Sequence, residues 1–502
     1  MFLTHLWKRA LRQRTANGPH HRRSATPRSF RPQLEELESR LVPSNTTVFT
    51  VTSTGDDPGN LAPPTSTSGP SFTLRDAILG ANATGGPAKI VFDLGNPQTL
   101  PPIQLLAPLP TLVNDDTIID GTSEPGWNGQ PIVIISGTLP NGGRPVQSAG
   151  LTINANGCTI KGLAIESFGG DGVDVSGNSN VLVNDTIAHN LGRGVVLEAG
   201  ASNNIIGGTT AFLDGFNNEI FDNSAVGILI QGTGTSGNII EGNFISQNSN
   251  GGVRIEQGAS NNVIGGTAAG AGNSIKANGF ILQVSNVVSG IDLFGTSGNV
   301  IQGNQIVGNS GDGVSIDEGS ANNTIGGLAP GAGNVIANNG TPNFQGGSFG
   351  WGVELTTLAG TGNTIEENSI SNNVRGGITL GVLPAIGNAN PPASPEPNNA
   401  QNAPFITSVT SNGTTTSIIF SLSSAPNSTY RIEFFAADPT GQGETFLGSM
   451  TVKTNTKGQF KGTFTFTGTA SAFTATATDS AGDTSAFAKA VSVPVSNGLK
   501  KH

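Results

Sequence analysis

From Gly172 to Leu380 the apolar positions alternate with polar ones in bursts of three or four residues, each opened by glycine. The phrase is Gly-(Val/Ile/Gly)-x-(Val/Ile/Leu), first seen as Gly172-Val173-Asp174-Val175 and last as Gly377-Ile378-Thr379-Leu380. Between them it returns at Gly194, Gly227, Gly252, Gly290, Gly313 and Gly352, with steps of 22, 33, 25, 38, 23, 39 and 25 residues along the series. Alternation this short predicts very short strands, and recurrence at this period predicts stacked repeats. The short steps are read as single turns of a coil and the long ones as turns carrying an insertion.

A second phrase, Asn-x-(Ile/Val)-x-x-Asn, keeps register with the first at Asn218/Asn223, Asn238/Asn243, Asn273/Asn278, Asn299/Asn304, Asn334/Asn339 and Asn363/Asn368. A variant, Asn-Asn-x-Ile-Gly-Gly, starts at Asn203, Asn261 and Asn322. Asn and Gly tolerate left-handed backbone, which suits sharp bends between strands. One Asn per turn at a fixed place also predicts a stack in which each amide bonds to the next. Helix is disfavoured, because Gly and Asn interrupt every window and no 3.6-residue stripe survives.

The runs Gly298–Ile306 and Asn322–Gly327 resemble the repeats of right-handed parallel β-helix proteins, and the resemblance spans residues from about 46 to 385. It implies an all-β solenoid and leaves function open, since lyases, hydrolases, epimerases, adhesins and tail spikes share that fold. Two further stretches extend the likeness. Residues 31–44, from Arg31-Pro32-Gln33-Leu34-Glu35-Glu36-Leu37 to Ser44, resemble the N-terminal motif of planctomycete extracellular proteins, which implies export. Phe72-Thr73-Leu74-Arg75-Asp76-Ala77-Ile78 is similar to a phrase that opens many bacterial β-helix surface proteins, with Phe72 and Asp76 replacing its usual Cys and Glu. This segment is expected to form a short helix capping the first coil, with Arg75 and Asp76 in structural ion pairs.

The domain plan follows from where the pattern starts and stops. Residues 1–45 form a basic export or targeting segment, with eight Lys or Arg and no acid among the first 33. Residues 46–380 are the β-helix with its cap, and 381–402 a Pro-rich linker. From Ala403 longer alternating strands set in, including Tyr430–Ala436 and Gln459–Phe466, which predicts an immunoglobulin-like sandwich over 403–495 before the tail 496–502.

Composition narrows the class. Charged residues make up only 12% of 502, glycine reaches 72, and the formal charge is −10. That balance suits a hydrogen-bonded extracellular solenoid and argues against nucleic acid as partner for the body of the chain. No apolar run reaches membrane-spanning length. A single cysteine, Cys158, permits no intrachain disulfide and reads as a buried structural thiol.

Catalysis on such a rod needs acids, or an Arg or Lys base, lined up on one outward face. The x positions of the glycine phrase give Asp174, Val196, Leu229, Arg254, Asp292, Ser315, Glu354 and Thr379 down the stack. Arg254, Asp292 and Glu354 are the candidate catalytic set, with Trp351 beside them as a candidate sugar-binding platform. The two acids fall two coils apart, about 10 Å, which is wide even for an inverting glycosidase. His189 reads as a turn residue; Asn184-Asp185 and Asp115-Asp116 are similar to the acidic pairs of polygalacturonases, whose other phrases are missing. No metal or cofactor site is expected. The reading is a secreted or cell-surface rod, non-catalytic, serving as adhesin, glycan binder or envelope component. The alternative is a carbohydrate-active enzyme (polysaccharide lyase, hydrolase or epimerase). Its partner would be a polysaccharide or cell-surface glycan.

Overall fold

The structure is a computed structural model that describes residues 46–494 except 60, 97–98, 140–142, 211–214, 280–287, 343–349 and 382–395. The basic segment 1–45, most of the proline-rich stretch and the tail 496–502 therefore lie outside the described residues. A right-handed parallel β-helix fills 47–380, and two antiparallel sheets follow. Each full coil gives one short strand to each of three parallel sheets, here called A, B and C, of 11, 10 and 9 described strands. In one coil these are Ile239–Glu241, Phe244–Ser246 and Val253–Glu256.

The alternation in the sequence becomes an inside and an outside. On sheet B the central isoleucines Ile187, Ile220, Ile245, Ile275, Ile306 and Ile336 stack in register, all with no exposed surface. Sheets A and C do the same with Ile206, Ile240, Ile264 and Ile301, and with Val253, Ile291, Val314 and Val353. Each such side chain stabilises the coil by about 2 kcal/mol through burial. β-branched residues dominate because they fit a pleated surface flanked by identical neighbours.

The asparagines form stacks at all three corners. Asn238 stands before the A strand of its coil, Asn243 before the B strand and Asn248 after it. At the first corner Asn204, Asn238, Asn262, Asn299 and Asn323 each take the next rung's Oδ1 as acceptor for their backbone N–H, at 3.0–3.2 Å. The third corner repeats this from Asn190 to Asn373. Most of the Nδ2 groups also donate to a carbonyl of an earlier coil, as Asn304 does to Ile264 at 2.8 Å. The stack thus satisfies corner backbone groups that no strand reaches. The doubled Asn of the variant phrase divides the labour. Asn203, Asn261 and Asn322 take left-handed φ of 54–57°, while Asn204, Asn262 and Asn323 are the rungs.

The glycine of the main phrase has a different role from the bend expected of glycine. Gly252 lacks a left-handed φ; a Cβ there would lie 2.5 Å from Ile275 Cγ2 and 2.6 Å from the Gly290 carbonyl oxygen of the next coil. Close approach of coils, and not bending, selects glycine here.

At the first end the expected helix forms over Leu74–Thr84, with a capping box between Thr73 and Asp76. Leu74, Ala77, Ile78 and Ala81 join the solenoid core. Arg75 pairs with Asp56 at 2.7 Å, both nearly inaccessible, and donates to the Ala107 and Pro108 carbonyls, so its ion pair is structural but Asp76 is not the partner. At the far end, sheets of three strands (Phe405–Ser411, Thr415–Ser423, Gln459–Thr467) and four strands (Gly443–Lys453, Thr429–Ala437, Ala472–Asp479, Val491–Ser492) enclose a second core. Phe420, Phe434, Tyr430 and Phe473 fill it. The end of the proline-rich stretch is built in as well: Pro397–Ala400 is a short 3-10 turn, and Asn398, Gln401 and Asn402 are buried.

Candidate functional site

The outward column of sheet C has the register read from the sequence. Strand pairing sets Asp174 against Val196, Val196 against Leu229, Leu229 against Arg254, and Arg254 against Asp292. Ser315 and then Glu354 follow, so Asp292 and Glu354 do lie two coils apart. Arg254 bonds Asp292 at 3.1 Å and also lies 5.4 Å over the Phe294 ring. Glu354 meets an acid from outside that column. It shares a hydrogen bond with Asp312, a residue of the turn before Val314, and Asp312 accepts the Trp351 N–H at 2.6 Å.

Burial pushes the Asp312 carboxyl well above its ordinary range, and the Glu354 charge adds to the effect. Asp292 is raised by burial against the opposing pull of Arg254. Further along the same face, burial first and then Asp171 and Glu198 lift Asp174 to about 7. Asp171 also meets Arg193 of the next coil as its register implies, accepting the Arg193 N–H at 2.5 Å. Carboxyls that hold a proton near neutrality suit acid–base chemistry. Here, however, Asp292 and Asp312 are 4% and 6% exposed, and their partners are Arg254 and Glu354. The Trp351 ring is buried too, against Gly376 and under the Arg375 guanidinium at 5.2 Å, so it offers no open platform.

Open space is found on sheet B instead. A shallow cavity of about 320 Å³ is lined by Glu219, Phe221, Phe244, Ser246, Gln247, Lys276 and Ala277. Phe244 sits one strand from Glu219 in one outward column, and Phe221, Ser246 and Lys276 follow one another in the next. Phe216 packs on Phe244 at 5.4 Å, and the Lys276 ammonium lies 4.5 Å over the Phe244 ring. At the rim His189 meets Phe221 edge-on and stands 3.7 Å from Asp222. His189 does occupy a corner, with φ of 57°. The sequence held a signal for this groove: it is spelled by the residues flanking Ile in the asparagine phrase, Glu219-Ile220-Phe221, Phe244-Ile245-Ser246 and Ser274-Ile275-Lys276. The outward positions of the glycine phrase carry no trace of it.

The remaining candidates are structural. Asp115 Oδ1 accepts the Asn156 N–H, which ties two corners together. Cys158 is fully buried, and that burial pushes its thiol up to about 12. Asp185 stands where the second corner has asparagine: its Oδ1 accepts the Leu163 N–H, and its own N–H goes to Asn218. Its Oδ2 has no partner, in the place where Asn218 Nδ2 donates to the Leu182 carbonyl. Burial raises this carboxyl to about 8, so at neutral pH it is an acid standing in for an amide. The folded-state value lies above the unfolded one, so the contribution of Asp185 is full below about pH 4 and is lost as pH rises to about 8. Asp185→Asn should supply the missing donor, raise stability at pH 8 by about 2 kcal/mol and remove that slope. Denaturant melts of both proteins from pH 5 to 9 check this.

Two family models match the chain: the right handed beta helix region over residues 209–382, and the periplasmic copper-binding protein (NosD) over 127–270. The second name implies copper, and the donor set does not fit it. Within 127–270 the soft or imidazole donors are Cys158, buried among core groups, and His189, at an exposed corner. Among the described residues no group of three His, Cys, Asp or Glu is placed to hold a metal. No curated protein matches the chain. Among solved structures, the A-module of a mannuronan C-5 epimerase from Azotobacter vinelandii is 15% identical over 58% of this chain and 71% of that one, with a TM-score of 0.40. A pectate lyase is 14% identical over 64% and 78%, at 0.39, and an alginate lyase from Paenibacillus 15% over 60% and 97%, at 0.35. Likeness at this level carries no argument about activity.

Proposed function

We propose that this protein is a non-catalytic glycan-binding rod of the cell surface or the space outside the cytoplasmic membrane, and that it holds its ligand on sheet B. One observation carries the reading: the open groove lies on sheet B, away from the paired Asp292, Asp312 and Glu354 carboxyls of sheet C. The sheet B groove offers the half-buried rings of Phe221 and Phe244 with Glu219, Ser246, Gln247 and Lys276 around them. That mixture of apolar platform and spaced polar groups suits a sugar ring, with its C–H face and its hydroxyl edge. On sheet C, Asp292 and Asp312 are buried and bonded to neighbours, and Asp174 is half-buried. Among the described residues no helix is long and apolar enough to cross a membrane.

The alternative, a carbohydrate-active enzyme, draws on the hydrogen-bonded Asp312 and Glu354 carboxyls with Arg254 and Asp292 alongside. One experiment separates the two. The purified chain is incubated with neutral and acidic polysaccharides, then assayed for retention and for new reducing or unsaturated ends. Retention without new ends is expected. New ends that vanish in Glu354→Gln would establish the enzyme instead.

A further inference from the structure

The last coil of the β-helix, Thr364–Glu366, Ser369–Ser371 and Gly376–Leu380, ought to present a row of unpaired backbone groups. Such an edge templates pairing with another chain. Here it meets side chains that take the place of a next coil. On the first corner stack, Asn363 donates its N–H to Asn398 Oδ1 at 3.0 Å, as every earlier rung does to its successor. On the third, Asn373 donates both its N–H and its Nδ2 to Gln442 Oε1, at 3.1 and 2.9 Å, and Gln442 Nε2 returns a bond to the Asn373 carbonyl. Gln442 belongs to the sandwich and does there what an asparagine rung does elsewhere.

The strand edges are met in the same way. Gly362 N–H goes to Asp483 Oδ1 at 2.6 Å and Ile365 N–H to Thr484 Oγ1 at 2.9 Å on sheet A. Glu367 N–H goes to Glu433 Oε2 and Asn372 N–H to Asp438 Oδ2 on sheet B. Arg431 bridges Glu367 at 2.6 Å and Glu433 at 3.0 Å, and the Phe487 ring covers Gly377 on sheet C. Asp483, Thr484 and Glu433 have no exposed surface.

We infer that the sandwich is the obligatory terminal cap of the solenoid, joined to it as a coil is joined to its neighbour, and not a separately tethered module. The side chains that do this end the stack: they satisfy its donors without presenting a new strand edge. A vacated last coil then becomes a surface for a second copy of this chain.

The test uses the full chain with a protease site placed within 382–395, cut after folding. The two pieces should travel together in size-exclusion chromatography and melt in one transition. In the cut protein, Gln442→Ala with Asp483→Ala should release the sandwich at least ten times faster, and the freed helix piece should form larger species. The inference is overturned if the unmutated pieces separate on cutting, if the cut chain melts in two separate transitions, or if the freed helix piece stays monomeric.

Discussion

Asn304→Ala should destabilise the fold by about 4 kcal/mol, more than most single changes achieve. Asn304 Oδ1 accepts both the N–H and the Nδ2 of Asn273, at 3.0 and 2.9 Å, and its Nδ2 donates to the Ile264 carbonyl and to Asn334 Oδ1. The site is 1% exposed, so water replaces none of these partners. Each buried group left unmade costs about 1–3 kcal/mol, and the substitution orphans at least two donors. The expected result is a lowered denaturant midpoint. Asn304→Asp gives an internal control, because a protonated carboxyl can mimic the amide as Asp185 does. It should lie near the native protein at pH 5 and near the alanine variant at pH 9.

The second large effect is steric. In Gly252→Ala the new methyl would sit 2.5 Å from Ile275 Cγ2 and 2.6 Å from the Gly290 carbonyl oxygen. The oxygen is backbone in a parallel ladder and cannot swing aside, so the coils must separate locally. Overpacking of this kind costs about 3 kcal/mol. Gly69→Ala, where a Cβ meets nothing within 4 Å, should change stability by less than about 0.5 kcal/mol. A matched pair of thermal melts distinguishes close approach from a general dislike of alanine.

The legibility of this chain followed its periodicity. Phrases repeated at a fixed spacing exposed the solenoid, the inward Ile and Val columns, the asparagine stacks and even the neighbour of each outward residue on sheet C. What periodicity could not give was depth. Arg254, Asp292 and Glu354 share one outward column, as the glycine phrase implies, but the turn residue Asp312 takes Glu354 as its partner. Trp351 stands two residues before the inward Val353 in its strand, packs on Gly376 and is buried. The groove on sheet B depends on Phe221 and Phe244 falling in adjacent outward columns of successive coils, and reading one phrase alone hid that diagonal. The docking of Gln442 was illegible for a different reason. It joins a rung of the helix to a residue 69 positions later in a domain of another period.

The same geometry places the most direct test on one side chain. The polysaccharide retained by the native chain is titrated, by calorimetry, into native protein and into Phe244→Ala. Phe244 is half-buried on the outer face and outside both cores, so its loss should leave the melting temperature nearly unchanged. A glycan-binding groove on sheet B requires affinity to fall at least tenfold, about 1.4 kcal/mol, with the fold intact. Unchanged affinity in the folded variant would contradict the account and move the binding site off that face.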